Sequence, residues 1–262
     1  MANSPGISKV IILAGGYGTR LSEETAIIPK PMIEIGGRPL LWHLMKSFAS
    51  QGHNNFIVAL GYKGHVIKEY FLKYPQMNSD LMIDLGDNKV EAEHQFAEDW
   101  KIELVNTGEN AMTGGRLRTL RDRINGTFIF TYGDGLSNVD INKLVAFHKS
   151  HGKLATVTAV KPDSRFGLLR INEQSQVSSF AEKPDYQNDL INGGFFVLEP
   201  EVIDYIDSDL TSWECEPCEK LVADGQMMAY HHKGFWQCVD TLHELRILRD
   251  IWDAGKAAWK VW

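Results

Sequence analysis

No stretch of the chain is apolar for long enough to cross a bilayer, and no hydrophobic core of a secretion signal precedes the first apolar run at Val10. A chain without a membrane segment is expected, and the cytoplasm is the simplest location for it. Cysteine is scarce. Cys215, Cys218 and Cys238, three in 262 residues, make no disulfide framework. Cys215 and Cys218 have C-x-x-C spacing, but no second Cys or His pair accompanies them, which argues against a zinc site. Positive charge is not in excess. The 27 Lys and Arg stand against 34 Asp and Glu, and a net charge of −7 argues against a nucleic-acid coat or an anionic membrane surface while leaving room for a local basic pocket. There is no Pro/Ser/Gly linker, repeat or low-complexity tract. Met1–Ser8 reads as a polar N-terminal extension to one large domain over 9–262.

What is present is alternation. Val10–Leu13, Phe56–Leu60, Ile102–Val105 and Thr127–Tyr132 read as buried strands. Between them Leu40–Phe48, His65–Lys73 and Leu117–Arg123 have helical spacing, with Pro39 placed to open the first. Strands alternating with helices imply parallel crossovers, hence an α/β, Rossmann-like, doubly wound sheet. After Lys153 the texture changes: Leu154–Val160, Gly167–Ile171, Val177–Ala181 and Phe195–Leu198 are strands with little helix between them. They predict a mixed or antiparallel, β-rich extension. Helices are expected over Trp213–Val222 and from Leu242 onward.

The chemistry starts at Leu13-Ala14-Gly15-Gly16-Tyr17-Gly18-Thr19-Arg20-Leu21, followed by Pro29-Lys30-Pro31. Glycines directly after a strand let backbone N–H groups wrap a polyphosphate, and Arg20 and Lys30 add the positive charge it needs. A dinucleotide fingerprint requires glycine where Leu21 stands, and a Walker loop requires Gly-Lys-Ser/Thr around Arg20 and Leu21, so both are excluded. Asp134 follows an apolar strand at the edge where open α/β sheets bind ligands. Asp240 is a second carboxylate, with helix capping before Leu242 as its plainer role. Two such groups can hold one Mg²⁺ that takes its remaining oxygens from phosphate and water.

The glycine loop with Pro29-Lys30-Pro31 resembles the signature of the sugar-nucleotide pyrophosphorylases. Glu34–Leu40, Met112–Arg116, Phe130–Gly135, Arg165-Phe166-Gly167, Glu182-Lys183-Pro184, Ile191–Phe196 and Gly234–Gln237 follow in that family's order, so the resemblance runs from about Lys9 to the C-terminus. It implies a nucleotidyltransferase-type fold, with 9–150 as the nucleotide-binding half and 151–262 as the sugar-phosphate half and C-terminal helix. It implies Arg20, Lys30, Asp134 and Lys183 as catalytic, and Asp134 and Asp240 as Mg²⁺ ligands. Leu13, Ala14, Gly15, Gly16, Gly18, Thr19, Arg20, Lys30, Ala111, Thr113, Gly115, Arg116 and Gly133 would bind the nucleotide, with Arg116 reaching a base carbonyl. Tyr132, Gly167, Glu182, Lys183, Asn192, Gly193 and Trp236 would bind the sugar phosphate. Within the family the likeness is strongest to the cytidylyltransferases, which implies CTP and α-D-glucose 1-phosphate as partners, and a homo-oligomer is expected. Two positions depart from the pattern: Ile28 replaces an additional Lys, and Ala111 replaces a Ser in the base stretch. UTP, dTTP or another sugar 1-phosphate is the alternative at the same chemistry. A sensing subunit without turnover would have lost Arg20, Lys30, Asp134 or Lys183. A glycosyltransferase would need Asp-x-Asp where Asp134-Gly135-Leu136 stands.

Overall fold

The computed structural model describes residues 7–18, 21, 25, 27–93, 98–161, 168–181 and 190–262. Its framework is an eight-stranded mixed sheet. In chain order the principal elements are β1 (Val10–Ala14), α1 (Leu40–Ser50), β2 (Asn55–Leu60), α2 (Gly64–Met77), β3 (Asp80–Asp84), β4 (Lys89–Glu93), β5 (Lys101–Asn106), α3 (Thr113–Thr119), β6 (Phe128–Tyr132), β7 (Gly135–Ser137) and α4 (Ile141–His151). The rest are β8 (Ala155–Val160), β9 (Leu168–Ile171), β10 (Val177–Ala181), β11 (Ile191–Asn192), β12 (Phe196–Leu198), α5 (Glu216–Ala223), β13 (Met227–His232), β14 (Trp236–Cys238) and α6 (Leu242–Asp253).

Strands β6, β1, β2 and β5 lie side by side and parallel. All four therefore end on one edge, and their following loops meet there. Successive residues of a strand face opposite sides, so β1 feeds two cores. Val10, Ile12 and Ala14 pack with α1, α2 and α4, while Ile11 and Leu13 pack with Leu117 of α3, Leu221 of α5 and Trp213. Helices thus cover both faces, as the alternation predicts. A third cluster joins Leu21 and Ile33 to Leu245 and Leu248 of α6 and to Trp259.

Beyond β6 the sheet turns antiparallel. β12 pairs with β6, and β8 pairs with β12 and, further along, with β11. Between β11 and β12 the chain breaks step at Gly193-Gly194-Phe195, where Gly194 and Phe195 have φ of 71° and 45°. β13 closes the other side of β8 in parallel.

Three elements depart from expectation. The helix expected over Leu117–Arg123 begins earlier, at Thr113, and ends in a tight turn at Arg121–Arg123. The helix expected from Trp213 starts only at Glu216, with Pro217 in its first turn, where a missing N–H is harmless. An unforeseen hairpin, β3–β4, carries Leu81, Ile83, Val90 and Ala92 on one exposed face.

Candidate active site

At the shared edge of β1, β2, β5 and β6 lies a cavity of about 450 Å³, walled by Leu13–Gly18, Lys30, Glu109–Thr113, Arg116, Tyr132–Asp134 and Asp240. The start of the glycine loop lies close against Gly133 at the end of β6. A Cβ on Gly133 would lie 2.6 Å from the Leu13 carbonyl oxygen. Gly18 has φ of 62°, a left-handed conformation that side chains disfavour.

Lys30 reaches the cavity from a short turn of 3₁₀ helix behind Pro29. Its Nζ donates to Asp134 Oδ2 at 2.5 Å and to Asp240 Oδ1 at 2.7 Å. Burial alone would lower the lysine pKa, but the two carboxylates outweigh it, and the ammonium is held above its ordinary value. Asp240 is not the cap of α6. Thr241 takes that role, accepting from the Glu244 N–H while Glu244 Oε2 accepts from the N–H groups of Asp240 and Thr241. The capping box fixes the backbone at 240, and the Asp240 side chain faces the cavity. Asp134 and Asp240 thus aim hard oxygens at one cation, a donor set that suits a divalent ion completed by phosphate and water.

Arg116 is 4% exposed. Its Nη1 donates to Leu60 O, Thr107 Oγ1 and Gly108 O at 2.7–3.1 Å, and its Nη2 to Gly15 O and Glu109 O at 2.9 and 3.2 Å. The terminal nitrogens are therefore engaged by protein oxygens from the ends of β1, β2 and β5. Arg116 lines the cavity, as expected of a nucleotide-site residue, and these bonds brace its wall. Burial lowers its pKa, with no carboxylate among these acceptors. Gly15 and Gly61 make room for it, since a Cβ on either would come within 2.4 Å of the guanidinium.

On the other side of the cavity Tyr132 ends β6. Its hydroxyl accepts from Asn192 Nδ2 at 3.2 Å, and Trp236 Nε1 donates to the Gly193 carbonyl at 2.7 Å. Trp236 also lines a second cavity of about 660 Å³ with Lys161, Leu190, His232 and Gln237.

Residues 9–248 match the family model described as nucleotidyl transferase. The chain belongs to the nucleotidyl transferase family. It is 51% identical, over 97% of its length and 99% of the relative's, to a glucose-1-phosphate cytidylyltransferase of Salmonella typhi. It is 44% identical, over 97% and 100%, to a probable glucose-1-phosphate cytidylyltransferase of Bacillus subtilis. Among solved structures, HddC from Yersinia pseudotuberculosis superposes with a TM-score of 0.69 at 26% identity, covering 94% of this chain and all of the other.

In this nucleotidyl transferase the cavity gathers Leu13, Ala14, Gly15, Gly16, Gly18, Lys30, Ala111, Thr113, Arg116, Tyr132, Gly133, Asp134 and Asp240 from segments far apart in sequence. Gly115 lies off the wall. It packs under the 209 loop, where a Cβ would lie 2.0 Å from the Asp209 carbonyl oxygen. Thr19, Arg20, Gly167, Glu182 and Lys183 lie outside the described residues. Sequence reasoning missed Tyr17, Glu109 and Asn110 on the rim, where Tyr17 donates to Asn110 Oδ1 at 2.8 Å. Isolated polar residues in loops give no spacing signal for such a role. Among the described residues no group of three His, Cys, Asp or Glu could hold a metal, Cys215 and Cys218 included.

Proposed function

We propose that the chain transfers CMP from CTP to α-D-glucose 1-phosphate, giving CDP-glucose and pyrophosphate. The convergence of a glycine loop, Lys30, Asp134 and Asp240 on one cavity carries this reading. The full-length likeness to glucose-1-phosphate cytidylyltransferases supports the choice of substrates. Residues 9–150 supply the nucleotide side, and 151–262 the sugar-phosphate side and C-terminal helix.

The acceptor is already an anion, so no enzyme nucleophile is needed. An oxygen of the sugar phosphate attacks the α-phosphorus of CTP in line, a new P–O bond forms, and the bond to pyrophosphate breaks with its electron pair leaving on pyrophosphate. Catalysis is then positioning and charge stabilisation. Asp134 and Asp240 would hold Mg²⁺, which when bound supplies charge neutralisation at the phosphates. Lys30, buried and charged, and Arg20 balance the charge that moves onto the leaving group. Glu182 binds the sugar and Lys183 its phosphate, oriented against Tyr132, Asn192 and Trp236.

Cytosine and uracil share the O2 acceptor and differ at N3 and position 4. With the terminal nitrogens of Arg116 engaged, discrimination falls to backbone groups of Ala14 and the 109–113 stretch. One mispaired buried group is worth about 1–3 kcal/mol, so a preference of about ten- to a hundredfold is expected. A pyrophosphate-release screen of four nucleoside triphosphates against several sugar 1-phosphates tests this. CTP with glucose 1-phosphate should give the highest kcat/KM. Equal or higher values with UTP would overturn the base assignment, and no release from any pair would overturn the reaction.

A further inference from the structure

Glu214 has no role in the reading above, yet it joins the two sides of the cavity. Its Oε2 accepts from the Thr113 hydroxyl at 2.6 Å and its Oε1 from the Tyr132 hydroxyl at 2.6 Å. Thr113 begins α3 on the nucleotide wall, 101 residues away in sequence, and Tyr132 ends β6, 82 residues away. Tyr132 in turn accepts from Asn192, whose Oδ1 accepts from the Gly194 N–H at 2.8 Å in the break between β11 and β12. A continuous relay therefore runs Thr113, Glu214, Tyr132, Asn192.

Two features hold the carboxylate in this place. Trp213 is fully buried against Phe130 and Phe196, and its backbone N–H donates to Thr113 Oγ1 at 2.8 Å, which anchors the neighbouring residue. Each carboxylate oxygen then receives a separate hydroxyl, a short charge-assisted geometry at both ends. A carboxylate can only accept, so the directions of both hydroxyl protons are set. Tyr132 points its proton at Glu214 and turns its lone pairs toward Asn192 and the cavity. It is therefore presented to the cavity as an acceptor, the polarity that accepts a hydrogen bond from a sugar hydroxyl. Burial and the Glu214 charge raise the Tyr132 pKa, which keeps that proton in place.

We propose that Glu214 is a positioning residue that sets the distance and the hydrogen-bond polarity between the nucleotide wall and the sugar-phosphate wall. The inference rests on the proposed reaction. Displacement of bound reactants by about 1 Å lowers turnover by about a hundredfold. Glu214→Ala should therefore lower kcat by about ten- to a hundredfold and raise KM for glucose 1-phosphate, with a smaller change for CTP. Glu214→Gln, which can still span both hydroxyls, should recover part of the loss.

The test is steady-state pyrophosphate release by wild type, Glu214→Ala, Glu214→Gln, Tyr132→Phe and the Glu214→Ala/Tyr132→Phe double variant, with thermal unfolding of each. The relay predicts that Tyr132→Phe adds little once Glu214 is gone, because the two act through one another. Independent, multiplying losses would overturn it. So would wild-type kcat and KM in Glu214→Ala, or a drop in Tm with unchanged kinetics. Wild-type turnover reports on the reaction itself, so failure of that reading is seen separately from failure of the relay.

Discussion

Replacing Gly61 by alanine puts a methyl carbon 2.4 Å from Arg116 Nη1, 2.7 Å from Nη2 and 2.8 Å from the Gly15 carbonyl oxygen. The backbone itself accepts alanine, because Gly61 is not among the residues with positive φ. The whole penalty is therefore steric, and two relaxations are open. In one, the glycine loop moves away from β2 at an overpacking cost of about 1–3 kcal/mol. In the other, the guanidinium leaves and strands its buried acceptors at about 1–3 kcal/mol for an unsatisfied group. Either way about 1–3 kcal/mol of stability is lost, which for a chain of this size lowers Tm by roughly 2–12 °C. Both relaxations disturb Gly15, so affinity for CTP with Mg²⁺ should fall by about tenfold, which corresponds to about 1.4 kcal/mol. Thermal unfolding and calorimetry read the two effects. Arg116→Met removes the obstacle, so adding Gly61→Ala to it should do much less than in the wild type. A Gly61→Ala protein with wild-type Tm and CTP affinity would refute this account of Arg116, as would fully additive losses in the pair.

Asp134→Asn should lower kcat by about 10²–10³ or more while the fold survives, since Asp240 still pairs with Lys30; near-normal turnover with Mg²⁺ would remove Asp134 from the site. His43, His53 and His148 are buried, and burial holds each pKa below the ordinary 6.5. The unfolded chain therefore binds more protons than the folded one as pH falls through 6.5, and stability declines from there down to the lowered folded values. Tm measured from pH 7.5 to 5 should fall, and His148→Gln should flatten the slope; a Tm that rises on acidification would contradict the sign. Changing Cys215 and Cys218 together to Ser should leave activity unchanged, because burial pushes the Cys218 thiol up to about 12 and, among the described residues, no group of three candidate metal ligands includes either; stoichiometric zinc lost in the double variant would show otherwise.

The parallel half of the sheet was legible because each strand is a short apolar run and each helix has its own period. That the glycine loop, Lys30, Asp134 and Asp240 share one cavity was legible because a polyphosphate site calls for close backbone, a cation and carboxylates together. The bracing role of Arg116 was not legible, for a physical reason. Its acceptors are Gly15, Leu60, Thr107, Gly108 and Glu109, and nothing local reveals that three strand ends converge around one guanidinium. Glu214 was silent in the same way, since both partners lie more than 80 residues away. The β3–β4 hairpin had a local signal that went unread. Val90 and Ala92 alternate with charged residues, and the turn before them holds Gly86 and Asn88, the latter at φ of 56°, although Met82 between Leu81 and Ile83 blurs the pattern on the first strand.

The third apolar cluster has a consequence for biosynthesis. Leu21 and Ile33 pack on Leu245, Leu248 and Trp259, and Lys30 meets Asp240 across 210 residues. The floor of the glycine loop is therefore made of residues translated more than 200 positions after it. While the chain is nascent, β1, β2, β5 and β6 can pair, but the loop they present lies over an unfilled hollow. Contacts of such sequence separation close late and slowly. The nucleotide site should thus form only once the segment from Asp240 to Trp259 has been made, and CTP cannot assist folding of the residues before it.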